Sequence, residues 1–383
     1  MMRHVRENTM KYVCMSCNKE YIPEPLLIRC DCGAALWVKP EVSFSKSDIL
    51  TDDFTMWRYA KAYPLDKKSI EISFNETITP LAPAKIAHVN ILAKMDSLMP
   101  TGSFKDRGAA MVVNYLNTQG IRSISEDSSG NGGSAYAGYA AKGNFDCNIF
   151  VPAGTSLGKT VQTRMYGARC FEIEGSREDV ANAAMNSKST HNSYYVGHNW
   201  HPLFIEGVKS IAYEIWEQCG YKAPDNFIAP AGNGSLLAGA YLGFQELLKG
   251  GSIDKLPRIF GVQTEGIQPF VQQFNHEEIK IGSTDTLAEG IKIQRSSRIN
   301  EIIDFVRTSK GGFVSVNELQ IKEALHIMGK QGFFIEPTSA AAFAGIKKLI
   351  DTNQIFEGQI TVGVITGNGL KATNTLQSLL VDA

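Results

Sequence analysis

Long apolar runs are missing from this chain of 383 residues. No stretch of about 18 consecutive apolar residues occurs, so no segment has the length to cross a bilayer as a helix. An excess of one charge is missing too. Lys and Arg number 38 against 39 Asp and Glu, a formal net charge of −1. That balance gives no electrostatic footprint for a nucleic acid or an anionic membrane. The opening MMRHVRENTMKYVC lacks the apolar stretch of a secretory signal. Cysteine is sparse and odd in number, seven in all, which favours free thiols in a reducing compartment over a disulfide scaffold. No fixed-period repeat and no low-complexity linker appears. These absences predict a cytoplasmic globular protein with neither a nucleic-acid nor a membrane partner.

What is present is a rhythm. From Thr77 onward, short β-rich runs such as VNILAKMD, CNIFVPAG, RIFGVQTEG and ITVGVITGNGLK alternate with helical stretches such as GAAMVVNYLNTQG and AAAFAGIKKLIDT. Such alternation predicts an α/β protein with mostly parallel sheets flanked by helices, arranged as two lobes.

Three glycine-rich turns follow apolar runs: SSGNGG at 128–133, APAGNGSLLAG at 229–239 and ITGNGLK at 365–371. In open α/β sheets, ligands lie at the carboxyl ends of strands, where such turns fall. Glycine lets successive backbone N–H groups converge on an anion, and a helix starting there adds its positive end. GNGSLLAGAYLGF fits a phosphate cup best, although tight helix–strand packing explains any single turn equally well. A near-match to the triphosphate loop, AGTSLGKT at 153–160, has Ala153 where that loop needs its first glycine. Lys159 is therefore expected on the surface at a helix start.

MPTGSFKDRG, residues 99–108, places Lys105 after a tight turn. An amine in such a place can form an imine with a carbonyl. As a plain helix start, the same stretch leaves Lys105 solvated and Asp106 and Arg107 as ordinary polar residues. From about Thr77 to the C-terminus the chain resembles fold-type II pyridoxal-phosphate enzymes, and among them the threonine synthases. The matching stretches come in the family's order: ITPL at 78–81, KMDSLMPTGSFKDRGAA at 94–110, SSGNGGSA at 128–135, PAGNGS at 230–235, EPTSAAAFAG at 336–345 and TGNGLK at 366–371.

The resemblance implies pyridoxal 5'-phosphate held by Lys105 as an imine, with Asn131 beside its phenolic oxygen. Gly232, Asn233, Gly234 and Ser235 would cradle its phosphate, and Thr366 would meet its pyridine nitrogen. A hydroxyl is a neutral partner for that nitrogen, which disfavours a protonated ring. Ser128, Ser129, Gly130 and Asn131 would bind the carboxylate of a small amino-acid substrate. The fold implied is that of the tryptophan synthase β-like lobes. Its expected division is an N-terminal extension at 1–76, a large cofactor-binding domain at 77–97 and 190–383, and a small domain at 98–189, in a homodimer. The activity implied is that of a carbon–oxygen lyase. It would eliminate phosphate from O-phosphohomoserine and add water to give threonine, with Lys105 moving the protons.

Three positions depart from the family pattern. Gly132 stands where a threonine is common, Phe204 where an arginine helps grip the substrate phosphate, and Asn368 where TGHGLK has histidine. Losing a bidentate phosphate donor is not a conservative change. Lys94, Arg107, Lys159, Arg164, Asn199 and His201 are other candidate grips. The alternative activity is a serine or threonine ammonia-lyase, or a β-replacement synthase, none of which needs a phosphate grip on its substrate.

CMSC and CDCG put Cys14, Cys17, Cys30 and Cys32 at a spacing compatible with a small structural zinc ribbon, or with its emptied relic. Cys147, Cys170 and Cys219 read as small apolar residues. His198 and His201 flank Trp200 without a third ligand at suitable spacing, so core or pocket-lining duty is expected. Glu336 is expected to serve the helix start at Pro337.

Overall fold

Apolar strands, most of them followed by a turn and a helix, build two compact units. The computed structural model of the chain describes residues 10–39 and 41–381. One unit comprises Met1–Val42, Asp48–Thr77 and Lys105–Val208, the other Ser43–Ser47, Ile78–Phe104 and Lys209–Ala383.

The second unit is built on a six-stranded sheet. Its order is Gly312–Val316, Arg258–Thr264, Asn226–Pro230, Thr361–Val364, Val89–Lys94 and Leu81–Ile86. All neighbours are parallel except the last pair, an edge hairpin that turns at Ala87 with φ 52°. Asn226–Pro230 is buried at every position, as expected for a central parallel strand covered on both faces. Pro83 lies in the edge strand, where a missing N–H is tolerated. The helix Pro337–Asp351 buries Ala341, Phe343, Ile346 and Leu349 in one core with Ile91, Ile228 and Val262 of the sheet.

The first unit holds a four-stranded parallel sheet in the order Arg169–Ile173, Asp146–Pro152, Ser123–Glu126 and Tyr194–Tyr195. The helix Lys105–Thr118 is buried along most of its length and packs on the helices Pro202–Val208 and Asn131–Lys142. A separate antiparallel sheet, Glu20–Tyr21, Lys11–Cys14 and Leu36–Lys39, carries the cysteine tract. Its core is Tyr12, Cys14, Cys30 and Leu36. No helix among the described residues is long and apolar enough to cross a membrane.

Candidate active site

Lys105 opens the helix Lys105–Thr118 and is half-buried. Its Nζ lies 5.5 Å from the centroid of the Phe204 ring, within cation–π range. Asp106 and Arg107 are fully buried, so the plain reading of solvated first-turn residues does not hold for them.

The turn before Lys105 is tied to the TGNGLK turn. Phe104 N–H donates to Thr366 O at 3.0 Å and Asn368 N–H to Gly102 O at 3.1 Å. The Lys371 ammonium donates to Thr101 O at 2.8 Å. Two motifs far apart in the sequence therefore form one backbone structure.

Thr366 is buried, with Oγ1 3.0 Å from Ser339 Oγ and donating to Glu336 Oε1 at 3.2 Å. Glu336 does precede the helix Pro337–Asp351 as expected, but its carboxylate also accepts from this hydroxyl. A hydroxyl has one proton. With that proton committed to Glu336, Thr366 offers a free lone pair and favours a partner that brings its own proton. The neutral hydroxyl expected from sequence thus has a carboxylate behind it.

In the same unit, the strand Asn226–Pro230 runs into Gly232-Asn233-Gly234 and then the 15-residue helix Ser235–Lys249. Gly234 has φ 78°, a left-handed conformation that L side chains rarely adopt. The helical ladder begins with Ala238 N–H donating to Gly234 O at 3.0 Å. The amides of Ser235, Leu236 and Leu237 therefore have no acceptor within the helix and sit at its positive end. This is anion-binding chemistry.

In the unit of Lys105, the turn 128–133 lies between the strand Ser123–Glu126 and the helix Asn131–Lys142. Ser128, Ser129 and Asn131 are half-buried and Gly130 is exposed. Glu126, the residue that ends the strand, is fully buried and binds His198 through both carboxylate oxygens. Asp127 receives Arg177 Nη2 at 2.7 Å and the Tyr195 hydroxyl at 2.8 Å. His198 lines this turn: a Cβ at residue 132 would stand 3.0 Å from its Nδ1. Sequence reasoning does not single out Glu126. Its only signal is an acid at the carboxyl end of a strand, just before a glycine turn.

Phe204 is fully buried and packs on His198 and Tyr136, with ring centroids at 5.7 and 6.3 Å. Among the other candidate phosphate grips, Lys94 is fully buried and donates to Glu214 Oε2 at 2.6 Å. Arg164 Nε donates to Thr160 Oγ1 at 3.1 Å. Lys159 is exposed in the helix Leu157–Met165, as expected. His201 is buried, and its Nδ1 accepts the Leu203 amide at 3.3 Å.

The four tract cysteines converge, with all four Sγ atoms within 4.8 Å of one another. Cys14 and Cys32 sulfurs are 3.6 Å apart, and those of Cys17 and Cys30 are 3.4 Å apart. Two tight turns present them. Asn18 N–H donates to Cys14 O at 2.8 Å with φ 60° at Asn18, and Gly33 N–H donates to Cys30 O at 2.8 Å with φ 88° at Gly33. Cys147 is buried, whereas Cys170 and Cys219 are only half-buried.

Among solved structures, the fold is similar to that of the processed form of threonine deaminase isoform 2 from Solanum lycopersicum. The TM-score is 0.67 at 18% identity over 96% of this chain and 95% of that one. That likeness shows the fold, an α/β architecture shared over nearly the whole chain. The family model described as pyridoxal-phosphate dependent enzyme matches residues 72–367, and the chain belongs to that family. A threonine synthase of Methanocaldococcus jannaschii is 30% identical over 94% of this chain and 92% of its own length. One from Synechocystis sp. is 34% identical over 82% of each. Each unit offers groups of the kind such a cofactor takes: an amine at 105 in one, and in the other the helix-start amides at 235–237 and a buried hydroxyl at 366.

Proposed function

We propose that the protein is a threonine synthase, which eliminates phosphate from O-phosphohomoserine and adds water to give L-threonine. The likeness to threonine synthases over nearly the whole chain carries this reading. Pyridoxal phosphate, when bound, supplies the electron sink for chemistry at the substrate's α-carbon. The Lys105 amine holds the cofactor and, once the substrate's amino group displaces it, moves protons at the α- and β-carbons. The Gly232, Asn233 and Gly234 turn and the Ser235 hydroxyl bind the cofactor phosphate. Asn131 meets the phenolic oxygen and Thr366 the ring nitrogen. Ser128, Ser129, Gly130 and Asn131 bind the substrate carboxylate and so orient its side chain. The same reading includes a homodimer, on the strength of the family resemblance, working in the cytoplasm, on the strength of the sparse cysteines and the N-terminal composition.

One observation favours a second reading. Phe204 is part of a buried aromatic wall, so position 204 supplies no cation for a substrate phosphate. A serine or threonine ammonia-lyase, or a β-replacement synthase, needs none. The test offers O-phosphohomoserine, then serine and threonine, and follows phosphate and keto-acid release. Phosphate release with threonine formation supports the synthase, and keto acid from serine or threonine alone overturns it. Lys105→Ala is expected to lose the visible absorbance of the bound cofactor and at least about 1,000-fold in turnover.

We also propose that Cys14, Cys17, Cys30 and Cys32 hold a structural zinc ion. Zinc–sulfur bonds of about 2.3 Å in a tetrahedron put sulfurs about 3.8 Å apart, and the separations of 3.4 and 3.6 Å suit that cage. Four thiolates leave no open position for catalysis. Metal analysis of the purified protein tests it: one zinc per chain is expected, and none overturns it.

A further inference from the structure

Both carboxylate oxygens of Glu126 are spent on one residue. Oε1 lies 2.5 Å from His198 Nδ1, and Oε2 accepts the His198 amide at 3.1 Å. This two-point grip fixes the imidazole and makes Nδ1 the nitrogen that shares a proton with the acid. The other nitrogen, Nε2, has no hydrogen-bond partner among the described residues. A buried carboxylate that orients one imidazole nitrogen and leaves the second unengaged is the arrangement by which proteins make histidine carry protons.

The ring stands against the residues already implicated. Gly132 gives it room, because a Cβ there would stand 3.0 Å from Nδ1 and 3.0 Å from Ser128 Oγ. Phe204 forms its wall, and the same ring lies 5.5 Å from Lys105 Nζ. The two departures at 132 and 204 thus meet at one side chain.

We propose that the Glu126–His198 pair is a second proton-carrying group of the active site, with His198 Nε2 serving the leaving ester oxygen and the incoming water while Lys105 moves the protons at the α- and β-carbons. This rests on the threonine synthase reading. As the bond between the γ-carbon and the ester oxygen breaks and its electron pair leaves with phosphate, Nε2–H gives that oxygen its proton. The Glu126 proton moves to Nδ1. The pair has then lost one proton. Water adding at the β-carbon returns it: its hydroxyl joins the carbon and its proton goes to Nε2, while the Nδ1 proton returns to Glu126.

The electrostatics suit such a pair. Burial pushes the Glu126 carboxyl up to about 7, against the opposing charges of Arg177 and Lys105. Burial, Lys105 and Arg177 hold the His198 imidazole well below its usual range, with Asp127 opposing. The other ionisable groups that feel Glu126, namely Tyr136, Tyr195 and Cys147, are kept protonated by their own burial. The uncharged arrangement, with the shared proton on Glu126, is therefore favoured, and it leaves Nε2–H ready to donate.

The first test uses nitrogen-15 NMR of the imidazoles in the substrate-free wild-type protein. The His198 ring-nitrogen signals are expected to report the titration of Glu126 at about 7 through the shared proton, and to lose that step in Glu126→Gln; signals flat from about pH 5 to about pH 9 in the wild type overturn the proposal. The second uses holoenzyme turning over O-phosphohomoserine. His198→Gln is expected to keep the cofactor's visible band, lose about 100-fold in kcat and lose the neutral limb of its pH profile. Added imidazole is expected to restore part of the rate in His198→Ala. Wild-type-like kcat and pH profile in His198→Gln overturns the proposal. A wild-type protein that releases no phosphate overturns the synthase reading instead, and the NMR titration still decides whether the pair carries a mobile proton.

Discussion

A Cβ on Gly108 would stand 2.4 Å from Cδ2 of Phe204, so the aromatic ring fills the volume that any other residue at 108 would claim. The ring also meets His198 and Lys105, which makes this contact the floor of the reactive region in its unit. Gly108→Ala is expected to cost about 1–3 kcal/mol, because neither the helix backbone nor a fully buried ring can retreat. Urea denaturation measures it. Phe204→Leu in the same chain should recover part of the loss, and no recovery would place the strain elsewhere.

The start of the Ser235–Lys249 helix makes a comparable demand through the backbone. Gly234 combines φ 78° with a Cβ position 2.5 Å from Ile302 Cδ1. Gly234→Ala is expected to cost about 1–2 kcal/mol in handedness alone. It should also weaken pyridoxal-phosphate retention about tenfold on dialysis, followed by absorbance. Wild-type retention would separate this turn from the cofactor.

Stability against pH should expose the Glu126–His198 pair. In the unfolded chain the carboxyl titrates near 4.5 and the imidazole near 6.5; in the folded chain the first rises to about 7 and the second falls. Between those ordinary values both states carry one proton on the pair, so the native protein should show little slope from it. Each single variant uncovers one half. In His198→Ala the raised Glu126 remains, and its contribution is full below about 4.5 and lost as pH rises through about 7. In Glu126→Gln the lowered His198 remains, and its contribution is present above about 6.5 and lost as pH falls. Urea midpoints from about pH 5 to about pH 8 should therefore slope in opposite directions, each on the order of 1 kcal/mol per unit. Slopes of one sign would contradict the assignment.

The cysteine cage should matter to folding. Cys30→Ser is expected to lose the zinc and to lower the unfolding midpoint by about 5 °C, since metal binding is folding free energy in so small a sheet. Calorimetry with and without a chelator checks it.

Much of this was legible in the sequence because glycine turns and buried strands leave local marks. SFKDRG, GNGS and TGNGLK each carry their own punctuation, and their order marks the family without any contact being known. The parallel sheets follow from the alternation of short β-rich runs with glycine turns and helical stretches. The pairings that tune the chemistry leave no such trace. Glu126 and His198 are joined only by the return of the chain after the strand Arg169–Ile173, and Glu336 reaches Thr366 only because its helix lies beside the Thr361–Val364 strand. Local patterning also gives no reason for the antiparallel edge hairpin at Ala87, where a single left-handed residue reverses the chain. Sequence alone leaves Phe204 as a missing cation. Packing makes it a wall.

The amides of Ser235, Leu236 and Leu237 belong to the main chain, and no codon change short of proline can delete them. An anchor of that kind is insulated from drift, while Gly132, His198 and Phe204, which act through their side chains or the lack of one, stay open to it. On the proposed reading, one leaving group can be exchanged for another at those positions while the backbone amides beneath stay as they are.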